Sequence, residues 1–183
     1  MALETWQIDS GHSGIHFSVR HMVVARVRGQ FARWNGSIEA EDGDFARGKV
    51  RVTIDASSID TGVSERDAHL KSPDFLDVTK YPELAFEGTK VEVKGEGRLA
   101  VAGALTIRGV TRQVVLDVEY AGRTKDPWGN ERAGFSAKTS VDRKEFGLTW
   151  NQALEAGGLL VGERVDIEIE VEAVKQAAAT KAA

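Results

Sequence analysis

Apolar residues recur at every second position over much of this chain. The clearest run is VDIEIEVE (165–172), in which Val165, Ile167, Ile169 and Val171 alternate with carboxylates. Period-two alternation belongs to a strand buried on one face only, as in an antiparallel sheet. The same rhythm marks Val50/Val52/Ile54, Leu84/Phe86, Val91/Val93, Leu99/Val101/Leu105/Ile107, Val114/Leu116/Val118/Tyr120 and Ala133/Phe135/Ala137. Turn chemistry separates these runs at Lys94-Gly95-Glu96-Gly97, Arg108-Gly109-Val110-Thr111 and Asp126-Pro127-Trp128-Gly129-Asn130. Many short strands at steady spacing predict a sandwich or a closed barrel.

Residues 57–82 break the rhythm. Ser64 is placed to cap a short helix, with Asp67 three residues on in the manner of a capping box. Pro73 ends that helix, because the residue before a proline is pushed out of the α region. A further turn is expected around 74–78 and a short helical turn within 141–147. The Ala-rich stretch 175–183 is expected to fray, leaving one domain over 1–174.

Composition narrows the function classes. At 183 residues the chain suits a single domain that buries roughly two thirds of its unfolded surface. A net charge of −4 argues against a nucleic-acid partner, and the lack of Cys excludes disulfides and thiolate metal sites. No apolar run approaches a membrane span. The opening residues have neither a basic nor an apolar leader region, so a cytoplasmic location is expected unless a leader was removed.

Candidate chemistry is sparse. His12, His16 and His21 fall within HSGIHFSVRHM (12–22). On a strand, Ile15, Phe17 and Val19 share a face with His21, and His16 looks outward. His12 and His16 then lie about 13 Å apart along the strand, a spacing that suits ligands on a helix but not here. No Gly-x-Ser-x-Gly elbow and no phosphate-binding loop is present. No catalytic residue, metal or cofactor is therefore expected.

Several segments together resemble the YceI-like family of bacterial lipid-binding proteins, which are lipocalin-like. They are WQIDSGHSGIHFSVRHM (6–22), VRGQFARWNGSIE (27–39), SSIDTGVSERDAHLKSPDFLDVTKYPELAFEG (57–88), GALTIRGVTRQVVLDV (103–118), AGFSAKTSVDRKEFGLTW (133–150) and LLVGERVDIEIEVEA (159–173). The resemblance implies an all-β fold: an eight-stranded antiparallel lipocalin-like β-barrel with a short helical insert and a long apolar pore. It also implies binding of a polyisoprenoid, such as a prenyl quinone or prenyl pyrophosphate, by a protein that is not an enzyme.

The inner faces then hold Ile15, Phe17, Val19, Phe31 and Phe86, followed by Leu105, Ile107, Phe135, Phe146 and Trp150. Small residues such as Ala133, Ala137 and Gly103 are interspersed, a mixture that suits either an open pore or a packed core. His21, Arg66, Asp67, His69 and Arg143, with Lys144, are the head-group candidates. Alternatively, Arg66 and Asp67 tie the helix to the barrel, or Asp67 pairs with Lys71 at the surface. Trp128, at a turn tip, is expected to fold back over the barrel end. Two rival functions stay open: a small enzyme pairing His21 or His69 with Asp67, and a packed-core stress-response interaction module. A homodimer is also left open.

Overall fold

A computed structural model describes residues 2–155 and 157–177. The strands are β1 (Leu3–Ile8), β2 (Gly14–His21), β3 (Ala25–Phe31), β4 (Trp34–Glu41), β5 (Asp44–Asp55) and β6 (Ile59–Asp60). After helix α1 (Ser64–Lys71) come β7 (Glu83–Gly95), β8 (Arg98–Ile107), β9 (Val110–Lys125), β10 (Glu131–Asp142) and β11 (Val161–Lys175).

Ten of these segments form eight staves, and the two-residue β6 lies beside β3. Along β11, the facing residue runs from His21 to Gly14 on β2 and then from Ile8 to Trp6 on β1. β1 and β2 are therefore one stave, interrupted by the 3-10 turn Ser10–His12. β3 and β4 follow one another along the same stave and make the second. β5, β7, β8, β9, β10 and β11 pair antiparallel in chain order, and the β1–β11 ladder closes the ring. The fold is the eight-stranded antiparallel, lipocalin-like barrel that the family resemblance implies, and of the sandwich and closed barrel that the alternation allows it is the closed barrel. Closure satisfies the backbone of every stave without leaving a long edge. The exception is β3, which β6 meets only at Gln30 and Phe31.

The two ends differ. At the lower end, Trp6 is fully buried against Phe45, whose ring also contacts Tyr120 and Phe135 at 5.5 and 5.0 Å. The Arg123 guanidinium lies 5.1 Å from the Trp6 ring and 4.9 Å from that of Phe45, completing the seal. The upper end carries the β2–β3 hairpin, α1, the turn after it, the 3-10 turn Arg143–Phe146 and the approach to β11. No helix among the described residues is long and apolar enough to cross a membrane.

Three local expectations are corrected. Ser64 does not cap α1: Val63 is the N-cap and makes no side-chain bond. Asp67 turns back instead and accepts from the Thr61 N–H at 2.9 Å and its hydroxyl at 2.5 Å, fixing the preceding loop. Trp128 does not fold over the barrel; the residue is 82% exposed. Of the stretch expected to fray, Lys175 and Gln176 are held: Lys175 pairs with Glu4 and Glu131, and the Gln176 N–H donates to the Thr5 carbonyl. Residues 178–183 of that expected tail lie outside the described residues.

Candidate functional site

Inward-facing residues stop short of the barrel axis and leave a cavity of about 400 Å³, within the range of small-molecule sites. Each ladder contributes to it by parity: Ile15, Phe17 and Val19 from β2, Leu105 and Ile107 from β8, Phe135 and Ala137 from β10. Phe31, Phe86, Phe146 and Trp150 border it as well, so the structure brings every pore candidate together around one space. Phe17 turns over Gly29, its cross-strand partner. A Cβ at Gly29 would come within 2.3 Å of the Phe17 ring, so the bare glycine decides where that ring lies.

The floor is the aromatic seal at Phe45 and Phe135. The roof was not foreseen in residue detail. Phe75 and Leu76, from the turn after α1, are buried over the upper end. Arg108 donates to the carbonyls of Pro73 and Phe75 at 2.7 and 2.6 Å and clamps that turn down. The apolar pair following Pro73 is the sequence signal that could have located it.

The polar candidates have distinct placements. Arg66 borders the cavity, but its Nε and one Nη donate to the hydroxyl and carbonyl of Thr61, each at 2.7 Å. Its Nη1 has no partner among the described residues. Asp67, bonded to the same Thr61, does not border the cavity. His69 stands edge-on to Phe75 and Trp150, with ring centroids 5.1 and 4.6 Å away, and its Nε2 lies 2.9 Å from Asp74. The carboxylate beside His69 is thus Asp74, not Asp67. His21 faces the cavity, and its ring has no hydrogen-bond partner among the described residues. Lys144 pairs outside with Glu163 at 2.8 Å.

Arg143 is the most confined polar group, 4% exposed at the cavity's upper border. Its guanidinium donates to four carbonyls: Leu148 at 2.6 Å, Gly162 at 2.7 Å, Trp150 at 3.0 Å and Val161 at 3.2 Å. Burial lowers its pKa, with Glu163 and Asp142 opposing the shift through charge. The group stays cationic because an arginine does not deprotonate in proteins. One side chain thereby holds the loop after the 3-10 turn against the start of β11.

Across the whole lining, the polar residues are histidines, arginines, Lys49 and Thr139; no carboxylate is among them. The border can donate hydrogen bonds and favours negative charge or acceptor oxygen. Away from the cavity, Asp9, His12 and Glu172 place potential ligand atoms within 4.8 Å of one another. Arg132 already bridges that cluster, 3.1 Å from Asp9 and 2.7 Å from Glu172.

Known proteins share this architecture. The profile of the YceI-like domain matches residues 6–173. A UPF0312 protein of Vibrio campbellii is 37% identical over 165 residues, spanning 90% of this chain and 83% of that relative. The crystal structure of a Campylobacter jejuni YceI protein superposes with a TM-score of 0.74 at 31% identity, covering 86% of this chain and 90% of that one. A polyisoprenoid binding domain from Saccharophagus degradans, implicated in plant cell wall breakdown, has the same fold. Its TM-score is 0.67 at 15% identity, over 93% of this chain and 98% of that domain.

Proposed function

This chain belongs to the YceI-like family, and we propose that it is a non-enzymatic carrier or reservoir for an isoprenoid lipid, held tail-down in the barrel. The observation that carries this reading is the cavity: an apolar space, closed below by aromatic rings and bordered only by hydrogen-bond donors and neutral groups. The polyisoprenoid-binding domain of the same fold supports it.

Magnitudes agree. A buried methylene contributes about 0.8 kcal/mol, so a five-carbon isoprene unit contributes roughly 3–4 kcal/mol at most. Micromolar affinity requires about 8 kcal/mol net, and association costs several more. A few enclosed units suffice, leaving the head group to set orientation. Donors without carboxylates suit a head rich in acceptor oxygens, either a quinone or a pyrophosphate, near His21 and the free Nη1 of Arg66.

Native mass spectrometry of protein purified from its host tests the reading. An adduct whose fragments show the five-carbon periodicity of a prenyl chain is expected. Repeated preparations carrying no lipid would refute it.

A further inference from the structure

The β2–β3 hairpin carries features that the cavity does not explain. Its tip, Met22-Val23-Val24, is 49%, 57% and 88% exposed. Met22 and Val23 have φ values of +52° and +67°. Consecutive positive-φ residues in a hairpin turn favour Asn-Gly, and a β-branched residue there is strained. Apolar side chains therefore stand in solvent at positions where turn chemistry alone would select small or polar ones.

Directly behind the tip, the outer face is cationic. Arg20, which also borders the cavity and donates to the Val23 carbonyl at 3.3 Å, is opposite Arg26 across the hairpin, a like-charge pairing that destabilises a sheet. Arg28 is exposed without a partner among the described residues. Arg164 on the adjoining stave adds a fourth guanidinium, and among the described residues Asp166 is the one carboxylate bonded to the group, 3.1 Å from Arg26 and 2.8 Å from Arg164. The hairpin also borders the wall's break, since residues 25–29 of β3 pair only with β2.

We infer that this hairpin docks the barrel on an anionic lipid bilayer, with Met22, Val23 and Val24 entering the interface and Arg20, Arg26 and Arg28 facing the headgroups. Apolar side chains ahead of a basic belt complement such a surface both in solvation and in charge. Each guanidinium near an anionic membrane is worth about five-fold in binding. The docking brings the cavity's upper end and the unpaired edge of β3 to the membrane, but it does not depend on what the cavity holds.

Flotation of delipidated protein with phosphatidylcholine vesicles, with and without phosphatidylglycerol, tests this. Wild-type protein is expected to float with the anionic vesicles and to be released by added salt. Arg28→Ser should weaken that binding about five-fold. The double variant Met22→Asn, Val23→Gly should melt at or above the wild-type temperature, because the turn is relieved, yet float at least several-fold less. An Ala137→Phe variant, blocked inside the barrel, should float like wild type, separating docking from cargo binding. Wild-type protein that ignores both vesicles would overturn the inference and leave the hairpin to a protein partner. A double variant that floats as well as wild type would overturn it equally.

Discussion

Ala137→Phe puts the internal space to a direct test. Ala137 is 8% exposed on β10, in register with Val118 on β9 and Ile169 on β11, and all three border the cavity. The substitution projects about six more carbon atoms inward, roughly the bulk of one isoprene unit, whose burial is worth about 3–4 kcal/mol at most. A flexible chain can slide and recover part of that, so the expected net loss is about 1.4–2.8 kcal/mol, or about 10–100-fold in Kd. Stability should move the other way. Filling a void commonly adds about 0.5–2 kcal/mol, and each kcal/mol raises Tm by about 2–4 °C in a chain of this size. Titration of delipidated protein with a fluorescent prenyl analogue gives the first quantity and calorimetry the second. The reasoning fails if Tm drops by several degrees while affinity is unchanged, because the ring would then be displacing packed side chains rather than occupying space.

Four further outcomes are expected. Arg143→Met takes the guanidinium away from the carbonyls of Leu148, Trp150 and Gly162, while Val161 keeps its bond from Asn151; stability from urea melts should fall by about 3–5 kcal/mol, with Arg143→Lys recovering only part. Gly29→Ala forces the Phe17 ring, 2.3 Å from the new Cβ, off its seat; a loss of about 1–3 kcal/mol and weaker probe binding should appear together. Asp126 reports on acid stability. Burial opposes its ionisation, but hydrogen bonds from Arg132, Asn130 and the Trp128 N–H outweigh that and hold the carboxyl at about 2. A depressed folded pKa stabilises above the unfolded value of about 4, and that stabilisation is lost as pH falls toward 2. Asp126→Asn should therefore flatten the dependence of Tm on pH between about 4 and 2. Finally, a prenyl ligand at about a hundred times its Kd should add about 2.7 kcal/mol to wild-type stability, with a smaller gain in Ala137→Phe at the same concentration.

The walls of this barrel were legible because parity is a local property. Val165, Ile167, Ile169 and Val171 point inward for the same stereochemical reason wherever the strand goes, and the pore candidates carried by strands followed from that rule, whereas Phe146 and Trp150 lie in a turn and a loop. What a long polar side chain reaches is not local. Arg143, in a short turn after Asp142, reads as one of a basic pair facing water, yet it is buried while its neighbour Lys144 stays outside with Glu163. Its partners are main-chain carbonyls at 148, 150, 161 and 162, and a carbonyl carries no sequence signature. Asp67 misled for a related reason. Its spacing from Ser64 fits a capping box, but Thr61 offered a second donor pair that local spacing cannot rank. The hairpin tip was passed over because an apolar run inside a strand-forming stretch looks like strand, and only the positive φ values at Met22 and Val23 reveal a turn.

The cavity persists because the wall cannot shrink around it. Ladder closure fixes the number of staves and their spacing, so the circumference is set by backbone hydrogen bonds and not by how well the interior fills. Small inward residues, Ala137 among them, then leave space that neighbouring rings cannot reach without breaking register. An unfilled apolar void of about 400 Å³ leaves its lining side chains without contacts on their inner side. Water offers little relief, since few polar groups reach the interior to hold it. A hydrocarbon chain supplies the missing contacts without disturbing a single ladder. A bound chain would therefore add to the stability of the barrel, and the barrel would in turn keep that chain out of water.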